Sequence, residues 1–282
     1  MYTLTVQNKY GAKLELTNSS NYQISNIDGL APPDAILNWS QNVNSDGSIF
    51  NSSYLSNRQI ILTLAINAPT EENRINLYNY FKNKYPLRLY YENDSRKVYI
   101  DGFCKNMDIQ FFGIKQIAQI TIICGNPYFL STKKNISELS NVASFFEFPF
   151  EIVNPIPFSE VTSGELLVVN NGDAETGMKL TLQARNGSVV NPVVYLANRN
   201  EYLGFNLTLD AGDSIIINTN AKEKSAVAYP HEAAEQNVLR YLKNGSSWLQ
   251  LDSGYNYFLI SADTGSQYFY MIAEFEDRFE GV

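Results

Sequence analysis

Hydrophobic and polar positions alternate in short runs along most of this chain, with turn residues between the runs. "YTLTV", "AKLELT" and "YQISNI" open it, and the last closes at "DGLAPP", a turn cluster followed by the strand-like "DAILNWS". "RQIILTLAI" is almost continuously apolar, as suits a strand covered on both faces. "LRLYYE", "RKVYIDGFC", "MDIQFF" and "QIAQITIIC" follow, separated by "NDS", "KN" and "GIK", and read as four strands of an antiparallel meander. Alternation resumes at "FEFPFEIVNPIPF" and continues through "GELLVVNNGD", "MKLTLQARNGS", "PVVYLAN", "FNLTLDAGDSIIINT", "WLQLDSGYNYFLISA" and "YFYMIAEFE", the pattern of a β-sandwich. The chain is therefore expected to be mainly β, with a first domain over 1–130, a connector over 131–147 and a second domain over 148–282. No internal repeat argues for a solenoid.

Two stretches of the first domain break the alternation. "PTEENRINLYNYFKNKYP" predicts one α-helix over about residues 71–85. Thr70 follows Pro69 as the N-cap, Glu71 and Glu72 oppose the positive end of the helix, and Pro86 stops it. Ile75, Tyr78, Phe81 and Tyr85 recur at intervals of three and four, which predicts the face laid on a sheet. The other break is "NWSQNVNSDGSIFNSSYLSN", polar, rich in Asn and Ser and nearly uncharged. Irregular connections beyond roughly 12–15 residues are uncommon in compact domains and usually have a function of their own or are disordered. This one carries Ile49, Phe50, Tyr54 and Leu55, so it has apolar surface to bury. In the second domain, "HEAAEQNVLRYLK" is the one stretch expected to be helical.

Composition narrows the function classes. The 282 residues leave room for two ordinary domains with real cores. Aromatics at 13 %, led by 19 Tyr and 16 Phe, favour strands. A formal net charge of −8 leaves no basic footprint for a phosphate backbone, so affinity for nucleic acid is not expected. Neither a signal-peptide pattern nor an apolar run of about 18 residues is present, which predicts a soluble protein made in the cytoplasm, with no membrane partner. Cys104 and Cys124 read as two buried thiols of a reducing compartment.

Little in the sequence carries chemistry. His231 is the only histidine, which removes support for a Ser-His-Asp triad and for most zinc sites. "HEAAE" resembles a metalloprotease helix but lacks the second histidine ligand, and a solvated helix is the simpler reading. Asn42, Asn44, Asp46 and Gly47 imitate the first half of a calcium loop, yet Ser53 stands where a bidentate Glu is needed, so no metal is expected. Asp210, Asp213 and Asp252 fall in turn sequences, where Asp commonly bonds its own backbone. Trp39 and Trp248 are candidates to stack on a sugar ring, but an aromatic on an alternating strand is far more often core. P-loop, GxGxxG and CxxC motifs are absent, and neither catalysis nor a cofactor is expected.

The order of the pieces supplies a resemblance. "ISNIDGLAPPDAILNWSQNVNSDGSIFNSSYLSNRQIILTLAI", a helix, "LRLYYENDSRKVYIDGFCKNMDI" and "QITIICGNPYF" resemble the distal tail protein family of long-tailed phages. "FEFPFEIVNP", "NLTLDAGDSIIINT", "YLKNGSSWLQLDSGYN" and the terminal "DRFEGV" resemble that family's C-terminal domain. "AVAYPHEAAEQN" departs from it, being longer and more helical than the hairpin expected there. The resemblance implies a tail-tube-like β-barrel or sandwich with one helix, followed by a galectin-like β-sandwich. It implies a structural virion protein of the tail tip, made in the host cytoplasm. Its copies would form a homohexameric ring that joins the tail tube protein to the hub and any receptor-binding protein, with DNA only passing through. On that reading the arm over residues 40–58 reaches a neighbouring copy, which covers Ile49, Phe50, Tyr54 and Leu55. The rival expectation is a carbohydrate-binding adhesion module that holds host sugar through Trp248 or tyrosines.

Overall fold

The computed structural model describes residues 2–42, 46–111, 115–140, 142–144, 159–161 and 165–282. The chain divides into two compact units, Met1–Lys133 together with Arg278–Val282, and Lys134–Asp277. Within the expected connector over 131–147, Phe129–Ser131 ends as a strand of the first unit and Asn135–Ser140 is already a strand of the second. The last five residues return to the first unit, so the second is inserted into the first rather than appended to it. Among the described residues no helix is long and apolar enough to cross a membrane.

The first unit holds β1 (Thr3–Asn8), β2 (Lys13–Glu15), β3 (Tyr22–Asp28), β4 (Ala35–Gln41), β5 (Ser48–Leu55), β6 (Arg58–Ile66), α1 (Thr70–Tyr80), β7 (Pro86–Glu92), β8 (Lys97–Ile109), β9 (Gln116–Cys124) and β10 (Phe129–Ser131). Its main sheet runs β2-β1-β7-β8-β9-β6-β3, antiparallel throughout, with β10 paired to both β8 and the terminal strand Arg278–Phe279. That path is open at both ends, so no barrel closes among the described residues. Ile60, Leu62 and Leu64 of β6 lie opposite Ile122, Ile120 and Ala118 of β9, and all six are fully buried. The intervening Gln59, Ile61 and Thr63 are exposed or half-buried, so over this length β6 is covered on one face and not on two.

Two further expectations need correction. "RKVYIDGFC" and "MDI" are one strand, β8: the register shift between Cys104 and Asn106 absorbs the extra residue as a bulge where a turn was expected. Helix α1 stops at Tyr80, Pro69 stands at its N-cap position in place of Thr70, and no side chain caps it. Its buried side is Asn73, Leu77 and Phe81, while Ile75, Tyr78 and Tyr85 are exposed. Hydrogen bonds fix that rotation. The buried Tyr22 hydroxyl donates to the Asn73 carbonyl at 2.8 Å, and the Asn73 side-chain amide donates to the Asn67 carbonyl at 2.9 Å. Leaving such buried groups unpaired would cost roughly 1–3 kcal/mol each, enough to offset the exposure of Ile75.

The second unit is a β-sandwich. Its six-stranded sheet runs Asn135–Ser140, Phe269–Phe275, Lys179–Ala184, Ser214–Asn218, Ser225–Tyr229, Gln236–Asn237. A four-stranded sheet runs Glu165–Asn170, Gly254–Ser261, Val193–Leu196, Glu201–Gly204. Leu180, Ile217 and Met271 of the first share one core with Val168, Phe258 and Leu203 of the second. The helix expected over "HEAAEQNVLRYLK" does not form. Gln236–Asn237 pairs with Val227–Ala228, and the buried Val238 donates its N–H to the Ala226 carbonyl at 3.0 Å, which ties this segment to the sheet. "FEFPFEIVNPIPF" lies outside the described residues.

Candidate functional site

Among the described residues, strands β4 and β5 pair only with each other and form a hairpin between β3 and β6 in chain order. The expected irregular arm is thus the returning strand of a hairpin that begins at Ala35. An Asn/Ser-rich strand shows no apolar alternation, and here side-chain bonds support the backbone ladder. Asn38 donates to the Ser52 hydroxyl, and the Ser40 hydroxyl donates to Asn51, each at 3.0 Å. A register shift between Asn38 and Trp39 sets Trp39 across from Phe50, their rings edge to face.

Every described residue from Ala35 to Tyr54 is exposed. Ile36, Leu37, Trp39, Ile49, Phe50 and Tyr54 keep between 40 % and 56 % of their surface in water, and Leu55 at the root is half-buried. Trp39, expected in a core, is among the exposed ones. Asp46 is the single charged residue between Ala35 and Leu55. Full burial of one such apolar side chain is worth roughly 1.5–3 kcal/mol, so a partner that covers several gains a large favourable term.

One residue at the root, by contrast, is buried and held by several hydrogen bonds. Arg58, the first residue of β6, is 2 % exposed. Its Nε donates to the Pro127 carbonyl at 2.6 Å, and one terminal nitrogen donates to the carbonyls of Gly29 at 2.6 Å and Ala31 at 2.7 Å. The other terminal nitrogen donates to the Glu280 carbonyl, and the guanidinium lies over the Phe129 ring at 4.7 Å. Burial pulls the Arg58 pKa below its ordinary value. Gly29 has φ +90°, and a Cβ there would meet the Gln59 carbonyl oxygen at 2.1 Å, so only glycine lets this turn back onto β6. Sequence reading missed Arg58, because an arginine at the head of a strand is ordinarily solvated.

The remaining candidates have local roles. Cys104 and Cys124 are free and buried, as expected, and burial pushes their thiols up to about 11 and about 12. The backbone N–H groups of His231 and Asp210 both donate to the Asp213 carboxylate. Asp252 accepts from Arg199 and Asn198. Asp46 and Gly47 are exposed at the hairpin tip, Asn44 lies outside the described residues, and no metal-binding cluster occurs among the described residues. Trp248 is half-buried against the second unit's core, with Lys224 Nζ 5.7 Å from its ring. A second exposed apolar stripe, not foreseen, lies on the four-stranded sheet, where Leu167 pairs with Tyr257, Val169 with Tyr255, and Tyr195 stands nearby. Its signal is apolar residues in both phases of "ELLVV" and "YNYFLI".

Comparison with known proteins sets these features in context. Residues 9–124 match the family described as the phage tail protein RIFT-related domain. The crystal structure of the Dit protein of phage SPP1, described as a paradigm of the hub adsorption apparatus in phages infecting Gram-positive bacteria, is similar over 98 % of this chain and 99 % of that one, with a TM-score of 0.67 and 13 % identity. A chain of the phage P2 baseplate, in its activated conformation with calcium, is similar over 100 % of both chains, with a TM-score of 0.53 and 10 % identity. At such identities what is shared is the fold. No curated protein sequence matches the chain.

Proposed function

We propose, from the premise that this is a phage tail protein of the distal-tail and hub kind, that its copies close into a hexameric ring at the virion's tail tip. The ring joins the tail tube to the hub and to receptor-binding proteins, and the second unit, on this reading a galectin-type sandwich, serves that outer attachment. The protein works by shape and repeated contact and not by catalysis.

The hairpin carries this reading. Soluble monomers rarely expose contiguous apolar patches larger than a few hundred Å². Here six large apolar side chains of one hairpin stand exposed beside Arg58, which is buried and hydrogen-bonded to the turn that leads into the hairpin. In a head-to-tail ring each copy presents its hairpin to a different surface of the next, and rotation closes the set without a free end. With Asp46 at its tip as the one charge between Ala35 and Leu55, the hairpin strands few ions in that contact. Each copy also adds a formal charge of −8, so the assembly repels the phosphate backbone and DNA slides through without binding.

Native mass spectrometry and negative-stain imaging of the full chain, alone and mixed with the hub protein, test this. Sixfold rings are expected. A monomer at every concentration, with and without the hub, would overturn it.

A further inference from the structure

We infer that Arg58 and the five C-terminal residues form a clamp that positions the hairpin, so that the hairpin is set only in a chain completed through its second unit. The clamp joins segments far apart in sequence. Arg58 holds the turn before β4 through Gly29 and Ala31, the approach to β10 through Pro127, and the C-terminal segment through Glu280. The C-terminal segment grips the same turn independently. The Val282 N–H donates to the Leu30 carbonyl at 3.1 Å, Arg96 donates to the Gly281 carbonyl, and Phe279 pairs with Phe129 in β10. Gly281 sits so close to the turn that a Cβ would lie 3.0 Å from the Pro32 side chain.

These partners differ in when they exist. Gly29, Ala31, Arg58 and Pro127 all precede the second unit in the chain, whereas Glu280, Gly281 and Val282 follow it. Without them the buried guanidinium loses one of its four carbonyl acceptors and the turn loses the Val282 bond. A buried cation left short of partners is strongly unfavourable. The cheapest relief is for water to enter at Arg58, which frees the turn before β4 and with it the hairpin. An incomplete chain therefore folds its main sheet but presents the hairpin loosely, and its entry into an assembly is penalised.

The test is amide hydrogen exchange on the monomer, comparing the full chain with one lacking residues 278–282. Residues 29–34 and the hairpin are expected to lose protection at least tenfold, while β6 and β9 keep theirs. A synthetic peptide of sequence RFEGV added in excess should restore the lost protection. If removal of the segment also unfolds β6 and β9, Arg58→Met serves instead: it removes the charge and the tie together while filling the same space. Unchanged protection of 29–34 and the hairpin, in a variant that retains its main sheet, overturns the inference. The proposal extends the ring reading but is measured on the monomer. A chain that never forms rings would sink that reading and leave this result standing.

Discussion

Trp39 and Phe50 face each other across the hairpin with ring centroids 5.3 Å apart and planes at 69°, and each is about half exposed. An aromatic pair of this kind adds ~0.5–1.5 kcal/mol beyond its area burial, too little to decide the folding of a chain with two large cores. Truncating an aromatic anchor within an interface, however, costs about 2 kcal/mol or more, roughly 30-fold in affinity. Trp39→Ala is expected to leave the thermal midpoint within about 2 °C of the parent while weakening self-association by that factor. Calorimetry and sedimentation velocity on the same samples check both. Lost folding with intact association would reverse the assignment.

Gly29 and Gly47 share φ +90° but differ in surroundings, which separates two costs. A Cβ at Gly29 meets the Gln59 carbonyl oxygen at 2.1 Å, whereas at Gly47 no atom of a described residue lies within 4 Å. Left-handed backbone alone costs an alanine roughly 1–2 kcal/mol. Gly47→Ala is expected to cost no more than that, and the loss should stay within the hairpin. Gly29→Ala adds a clash with backbone that cannot yield, so a total of at least about 3 kcal/mol is expected, in line with other strain at special backbone positions. Denaturant titration of both variants reads the difference.

The buried thiols make the first unit less stable as the solution turns alkaline. Burial raises Cys104 to about 11 and Cys124 to about 12, both above the ordinary thiol value, so the folded state holds protons that the unfolded state releases first. The stabilisation is complete below pH ~8.5, the ordinary thiol range, and declines as pH rises through the folded values. Urea midpoints are expected to fall from pH 8 to pH 10.5, and the Cys104→Ala, Cys124→Ala double variant should lose part of that dependence. Thiol reagents at pH 8 should label the native protein far more slowly than the unfolded chain.

Those three regions also show what the sequence could and could not reveal. The strands themselves were legible, and the buried thiols followed from the low cysteine count, but β6 reads as a continuous apolar run although only Ile60, Leu62 and Leu64 face the core over its first half. The hairpin was half legible. Its apolar residues stood out, but β5 reads "SIFNSSYL", and its pairing with β4 rests on Asn and Ser bonds that leave no periodic trace. Helix α1 was found but rotated wrongly, since Leu77 and Asn73 are chosen by the polar needs of Tyr22 and not by the strongest apolar stripe. The clamp left no signal at all. Nothing local in "RFEGV" says that it returns past a whole inserted unit to Leu30.

The last prediction concerns the rival role, sugar binding by the second unit. Stacking on a pyranose needs an aromatic face open to solvent, and Trp248 instead packs on the sandwich core. Trp248→Ala is therefore expected to destabilise the second unit by about 2–3 kcal/mol, somewhat below the ~3–5 kcal/mol of a fully buried aromatic. Tyr255, at 66 % exposed, is the ring best placed to stack, and Tyr255→Ala should shift stability by less than about 0.5 kcal/mol. A glycan array probed with the full chain is expected to show no saturable binding, because the stripe sets tyrosines beside Leu167 and Val169, the aromatic and apolar composition of a protein–protein contact. Saturable binding that Trp248→Ala spares and Tyr255→Ala abolishes would instead make the second unit an adhesion module, with the stripe as its sugar platform.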